Sequence, residues 1–266
     1  MKGLVDGKVA VITGAGSGVG QAASLLFARH GARVVAADID AARADETAAL
    51  IAAEGGEARA ARCDVADETE VERLIAFAVA HYGRLDILYN NAGITVMGAP
   101  GEGPKRLTTT SAEEICAVQA VNVNGVLYGC KAAITAFEQQ GGGGVIVNTA
   151  SIAGLIGYGG VAYGATKGAV VGLTRTLAME VAGKAIRINS VCPAGMPTRY
   201  GGMDMGGPNA EKVRQGMSAA HPLGRPIDPM DCANAALFLA SDLAANITGV
   251  NLPVDGGLSA GVPLRR

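Results

Sequence analysis

Tyr163 and Lys167 stand four residues apart in an Ala/Gly-rich run, a spacing that puts both side chains on one face of a helix. A free phenol ionises near pH ~10 and is a poor base at neutrality, but a neighbouring ammonium favours the phenolate, each pKa unit corresponding to ~1.4 kcal/mol. Such a pair can exchange a proton with a hydroxyl-bearing molecule. A second cluster, Thr13-Gly14-Ala15-Gly16-Ser17-Gly18-Val19-Gly20, joins an apolar β-branched run to an Ala/Leu-rich one. Residues without Cβ permit so tight a turn and let a pyrophosphate approach backbone amides at the positive end of a helix. Asp38 lies 18 residues beyond Gly20, at the end of the second apolar run. A carboxylate there accepts hydrogen bonds from ribose hydroxyls and repels a 2′-phosphate, which favours NAD over NADP. No arginine or lysine lies within the glycine turn or directly after Asp38.

These residues need a frame. Short β-branched runs alternate with longer Ala/Leu-rich segments, the pattern of βαβ units and a parallel sheet. Strands are expected at Lys8–Ile12, Ala32–Ala36 (running on to Asp38), Ala58–Asp64, Leu85–Asn90, Val145–Val147, Ile186–Asn189 and Val250–Leu252, about seven in all. Helices are expected near 19–30, 41–54, 68–82, 111–138, 161–182 and 228–240, and Ser111 with Glu114 reads as a capping box that starts the fourth of these. The fold class implied is α/β, a single Rossmann domain over 1–266 with a doubly wound parallel sheet flanked by helices. Two glycine-rich stretches, 94–110 and about 194–222, follow strands on the sheet edge where ligands bind, and the second is expected to be a substrate lid.

Composition narrows the alternatives. Hydrophobic residues make up 49% and charged residues 17%, which suits a compact globular chain, and a net charge of −2 argues against nucleic-acid or anionic-membrane partners. The start, MKGLVDGKVAVITG, lacks the apolar stretch of a secretory signal, so a cytoplasmic location is expected. Residues 139–166 carry no charge, but their glycines, Asn148, Thr149 and Ser151 suit a buried strand and active-site loop better than a membrane span. Cys63, Cys116, Cys130, Cys192 and Cys232 are scattered without metal-type spacing and are expected to be buried thiols, with no metal site.

The ordered motifs resemble the short-chain dehydrogenase/reductase family along nearly the whole chain. Thr13–Gly20 is similar to its TGxxxGxG turn, Asp64-Val65 to its adenine-binding pair, and Asn90-Asn91-Ala92-Gly93 to its NNAG segment. Asn122 in VNVNG, Ser151 in NTAS, Tyr163 and Lys167 in YGATK, Pro193–Thr198 as PGxxxT and Asp255-Gly256-Gly257 complete the series. The resemblance implies catalysis by Asn122, Ser151, Tyr163 and Lys167. Tyr163 would exchange the substrate hydroxyl proton, Lys167 would lower its pKa and hold the nicotinamide ribose, Ser151 would bond the carbonyl oxygen, and Asn122 would hold a relay water. It implies NAD contacts by Gly14, Ser17, Gly18, Val19, Gly20, Asp38, Ile39, Asp64, Val65, Asn91, Ala92, Gly93, Tyr163, Lys167, Pro193, Gly195, Met196 and Thr198. A homo-oligomer, tetramer or dimer, is also implied, built on the helices at 111–138 and 161–182.

The chain departs from the family in three places. Ser151 and Tyr163 are 12 residues apart, one fewer than common; Ala194 stands where a glycine is usual after Pro193; and 94–110 is a few residues longer, suggesting an extra flap. In the lid, Tyr200, Met203, Met205 and Met217, with Tyr158 from the Ser151 loop, suggest an adaptable apolar wall, while Arg199, Lys212 and Arg214 are its few cations. The expected reaction interconverts a secondary alcohol and a ketone, with an uncharged alicyclic or steroid-like substrate preferred. An NADPH-dependent 3-oxoacyl-carrier reductase and a non-catalytic NAD-binding sensor are the alternatives.

Overall fold

The structure is a computed structural model, and it describes residues 3–99, 102–198, 200, 207 and 210–261. Seven strands form one parallel sheet in the order β3-β2-β1-β4-β5-β6-β7. They are β1 Val9–Thr13, β2 Arg33–Asp38, β3 Glu57–Arg62, β4 Ile87–Asn90, β5 Gly144–Thr149, β6 Ile186–Pro193 and β7 Asn251–Val254. Helices α1 Gly18–Arg29, α2 Ala41–Ala53, α3 Glu68–Tyr82, α4 Ala112–Gln119, α5 Gly125–Gln140, α6 Val161–Val181, α7 Ala210–Ala220 and α8 Pro229–Ala240 connect them.

Alternation along β1 explains the two layers. Val9 and Val11 face a core shared with Leu74 and Ile75 of α3, Phe137 of α5 and Val170 of α6. Ala10 and Ile12 face the other core, with Phe27 of α1 and Leu237 and Leu239 of α8. Both faces are covered, as a wholly parallel sheet requires. The chain leaves β1 toward β2 on one side, and returns to β4 on the other, so a crevice opens at the carboxyl ends of β1 and β4.

Helix starts follow the sequence closely. Ser111 and Glu114 form the expected capping box, and Asp228 with Asp231 forms a second ahead of α8. The segment expected as one helix over 111–138 is divided: a π-helical turn, Ala120–Asn124, separates α4 from α5. Its cause is tertiary. The fully buried Asn122 side chain is gripped by the Ile94 backbone, whose N–H donates to Oδ1 at 2.8 Å and whose carbonyl accepts from Nδ2 at 2.9 Å. That inward pull widens one helical turn, the kind of local expansion often found at functional sites.

Other expectations need adjusting. β6 extends four residues beyond Asn189 to Pro193, because Cys192 and Pro193 continue in register with Pro253 and Val254 of β7. Cys116 is exposed on α4, whereas Cys63, Cys130, Cys192 and Cys232 are buried. Within 94–110 the chain folds back on itself at an antiparallel bridge between Met97 and Pro104, and Lys105 ties this flap to Glu114 at 2.8 Å. Among the described residues no helix is long and apolar enough to cross a membrane.

A buried polar chain joins the central strands to the helices behind the crevice. Asn90 Nδ2 donates to Asn148 Oδ1 at 3.0 Å, and Asn148 Nδ2 donates to Thr174 Oγ1 at 3.2 Å. Removing the middle member strands both neighbours in the dry interior. Asn148→Ala is expected to destabilise the fold by about 2–4 kcal/mol in chemical denaturation, and a loss below about 0.5 kcal/mol would contradict this role.

Candidate active site

The glycine turn leaves β1 at Thr13 and enters α1 at Gly18. Gly14 and Gly18 have φ of +64° and +52°, the left-handed region that side chains resist. A Cβ on Gly20 would lie 2.0 Å from the Gly14 carbonyl oxygen, so only glycine lets the helix start so close to the turn. Open space lies over Gly18, with nothing beyond its chain neighbours and its own helix backbone within 4 Å of where its Cβ would be. A bare helix N-terminus beneath an open, Cβ-free surface fits a pyrophosphate. The turn is braced from β4: Asn91 Nδ2 donates to the Thr13 carbonyl at 3.0 Å, and the Asn91 and Ala92 N–H groups donate to Thr13 Oγ1 at 3.0 and 3.1 Å.

At the next corner, Asp38 ends β2. Its carboxylate accepts from Gly16 N at 2.9 Å and from Asp40 N at 3.0 Å. The cap of α2 is Asp40, which accepts from Ala42 N and Arg43 N. Asp38 is therefore free of capping duty. Ile39 beside it is 61% exposed, an apolar surface at the edge where an adenine ring would lie. Asp64 accepts from Ala66 N at 2.9 Å, while Val65 is buried against Gly125 at the start of α5. Ser17 and Val19 belong to the turn and first helical residues of α1.

One residue here escaped the sequence argument. Arg43, five positions after Asp38, is carried back by the first turn of α2 so that its Cβ lies 2.6 Å from where a Gly16 Cβ would be. Its guanidinium pairs with Asp40 at 3.2 Å. The stem of the Arg43 side chain thus borders the glycine turn while its guanidinium is paired with Asp40, an arrangement that only the geometry of the helix start reveals.

Across the crevice, β5 and α6 bring Ser151, Tyr163 and Lys167 together. Lys167 is 2% exposed, and its ammonium donates to the Thr149 carbonyl at 2.7 Å and lies 5.6 Å from the Tyr163 ring centroid. No carboxylate among the described residues pairs with it, so burial depresses it to about 8 from an ordinary 10.5. Burial also holds the Tyr163 phenol above its ordinary value, with the Ser151 and Tyr200 hydroxyls partly offsetting that rise. The sequence leads one to expect the phenol drawn down by lysine. In the protein by itself, desolvation prevails.

Ser151 Oγ donates to the Pro193 carbonyl at 3.2 Å and accepts from Ala153 N at 3.1 Å. Thr149, its competitor in sequence, is engaged elsewhere, its hydroxyl donating to Asn91 Oδ1 at 3.2 Å and sharing a hydrogen bond with the Tyr89 hydroxyl at 3.1 Å. Both side-chain amide atoms of Asn122 are occupied, by Ile94 and by Thr166 Oγ1 at 3.1 Å, and Thr166 in turn donates to the Tyr163 carbonyl at 2.7 Å. Asn122 is thereby joined to the base of Tyr163 through Thr166, a residue that carried no sequence signal. Gly93 completes this wall, since a Cβ there would lie 3.2 Å from Asn122 Oδ1 and 3.5 Å from Lys167 Nζ.

Beyond Pro193, Ala194 is buried and bonds through its N–H to the Val254 carbonyl at 3.2 Å. Its φ is negative, so alanine meets no backbone penalty where glycine is usual. Met196 packs on the core, and Thr198 N donates to the Met196 carbonyl at 2.9 Å. The Tyr200 ring meets the Tyr163 ring edge-on at 6.3 Å. Arg199, Met203 and Met205 of the expected lid lie outside the described residues; its later part forms α7, which holds Lys212, Arg214 and Met217.

Comparison with known proteins agrees with this geometry. A family model described as "Enoyl-(Acyl carrier protein) reductase" matches residues 14–259. The meso-2,3-butanediol dehydrogenase of Serratia marcescens is 41% identical over 96% of each chain. The D-threitol dehydrogenase of Mycolicibacterium smegmatis is 38% identical over 95% of this chain and 93% of its own. A solved short-chain dehydrogenase/reductase from Burkholderia xenovorans superposes with a TM-score of 0.86 at 38% identity, covering 98% of this chain and all of its own. The first two relatives are named as dehydrogenases of butanediol and threitol. With its glycine turn, paired Tyr163 and Lys167 and seven-stranded parallel sheet, the chain belongs to the short-chain dehydrogenase/reductase family and is an oxidoreductase that uses a nicotinamide cofactor.

Proposed function

We propose that the protein is an NAD(H)-dependent dehydrogenase that interconverts a compact, uncharged secondary alcohol or diol with its ketone. The observation that carries the chemistry is the buried Lys167 ammonium beside Tyr163 with Ser151 at the same crevice. When bound, the nicotinamide supplies the hydride acceptor and, in its oxidised form, a positive charge. In alcohol oxidation Tyr163 Oη takes the hydroxyl proton, and Lys167 holds the phenolate by its charge. Ser151 turns its O–H from the Pro193 carbonyl to the substrate oxygen. Asn122 and Thr166 keep the Tyr163 backbone and the π turn in place. Gly14, Ser17, Gly18, Val19 and Gly20 would hold the pyrophosphate; Asp38 and Ile39 the adenosine ribose and one adenine face; Asp64 and Val65 the other; Asn91, Ala92 and Gly93 with Pro193, Gly195, Met196 and Thr198 the nicotinamide half.

The sequence points to an alicyclic or steroid-like alcohol; the relatives named for butanediol and threitol draw the proposal toward smaller neutral ones. A cytoplasmic homo-oligomer remains the expected state. NADPH is the second reading, favoured by Arg43, whose stem borders the glycine turn. Asp38 opposes it, because a carboxylate facing that corner repels a 2′-phosphate.

Fluorescence titration separates the cofactors: NADH is expected to bind at least about tenfold more tightly than NADPH, and equal or reversed affinities would transfer the assignment to NADPH. Tyr163→Phe is expected to bind NADH like the natural protein while turnover of a secondary alcohol falls about 10²–10⁴-fold. Retained turnover would remove Tyr163 as the proton acceptor.

Lys167 also sets a stability signature. Because its folded pKa is about 8 against 10.5 when exposed, the unfolded chain binds more protons between those values, and stability rises with pH across that window. Below pH 8 the full burial penalty applies. Lys167→Met is therefore expected to be more stable than the natural protein at pH 7, by about 1–3 kcal/mol, with the difference shrinking toward pH 10. A less stable variant at pH 7 would show that the ammonium carries structural weight.

A further inference from the structure

Tyr158 is placed where neither the cofactor nor the proton transfer uses it. It leaves the loop after Ser151 and crosses to the loop after β6, its hydroxyl 2.8 Å from where a Cβ on Gly195 would stand. Gly195 lies two residues beyond Pro193, the carbonyl that accepts the Ser151 hydroxyl. Among the described residues the Tyr158 hydroxyl has no hydrogen-bond partner, and the side chain is partly open to solvent. The turn that carries it is held from outside, since a Cβ on Gly160 would lie 3.0 Å from Pro104 of the flap, itself bridged to Met97. Of the flap's two cations, Lys105 and Arg106, the first is paired with Glu114 at 2.8 Å.

We propose that Tyr158 is a specificity-determining residue whose hydroxyl hydrogen-bonds a second oxygen on the carbon next to the reacting one, so that the site selects vicinal diols and α-hydroxyketones over simple secondary alcohols. The inference rests on the alcohol-oxidising reading above. An exposed hydroxyl at the Gly195 loop, with no protein partner among the described residues, has one free donor and offers no charge, which suits a neutral hydroxyl and not a carboxylate. The Tyr200 ring meets that of Tyr163 edge-on at 6.3 Å. Compact substrates bearing two adjacent oxygens can pair with Ser151 and Tyr158 together. A hydroxyl that pairs with a substrate hydroxyl also discriminates against the analogue that lacks it.

The test compares NAD⁺ reduction with meso-2,3-butanediol and with 2-butanol in the natural protein and in Tyr158→Phe. The natural protein is expected to favour the diol in kcat/KM by at least tenfold, and the variant to lose most of that preference, chiefly through KM for the diol. Equal losses on the two alcohols, or a preference that survives the substitution, would overturn the role of Tyr158 while leaving the dehydrogenase reading intact. Absence of activity on both alcohols, with NADH still bound, would overturn the underlying reading and this inference with it. Thermal unfolding of Tyr158→Phe alongside the natural protein separates a local change from a damaged fold.

Discussion

A lysine ammonium sealed inside the protein without a carboxylate partner is the constraint around which the site is arranged. Such a charge ordinarily costs several kcal/mol, and proteins avoid it by pairing or by exposure. Here Lys167 has only the Thr149 carbonyl within hydrogen-bond reach among the described residues. The sheet supplies that carbonyl at the end of β5, and α6 delivers the lysine to it one helical turn after Tyr163. Under the proposed mechanism the unpaired charge stands next to Tyr163, where it would hold the phenolate.

The same logic explains why the polar groups behind the crevice are so thoroughly paired. Thr13 serves the Asn91 and Ala92 amides, Asn91 returns to the Thr13 carbonyl, and Thr149 reaches Asn91 and Tyr89. One side chain thus links the glycine turn, the end of β4 and the end of β5. Asn122 and Thr166 do the same for the flap, the π turn and the start of α6. Few of these atoms are left to choose a new partner, so the free donors are those at the crevice surface. Preorganisation of this kind keeps charge and hydroxyl positions fixed as a proton moves.

Much of this was legible in sequence because it depends on local rules. The strand and helix alternation, the Ser111 capping box and the glycine turn follow from periodicity, capping chemistry and the absence of Cβ. What was hidden depends on long-range contacts. The π turn follows from Ile94 gripping Asn122 across 28 residues, which no helical period records. Arg43 borders the glycine turn from the first turn of α2, a contact between separate elements that sequence spacing does not record. Thr13 and Thr166 look like ordinary hydroxyl residues until their partners are known. The balance of forces on Tyr163 was hidden too, since burial is a property of the packed fold and the sequence shows only the neighbouring lysine.

The most direct measurement of the central constraint is an NMR titration of the Lys167 side chain in the cofactor-free protein, assigned by comparison with Lys167→Met. An ammonium buried without a counter-charge titrates at about 8, well below the ordinary 10.5. A midpoint at or above the ordinary value would mean that the charge is solvated or paired, and the account of how Tyr163 is tuned would fail with it.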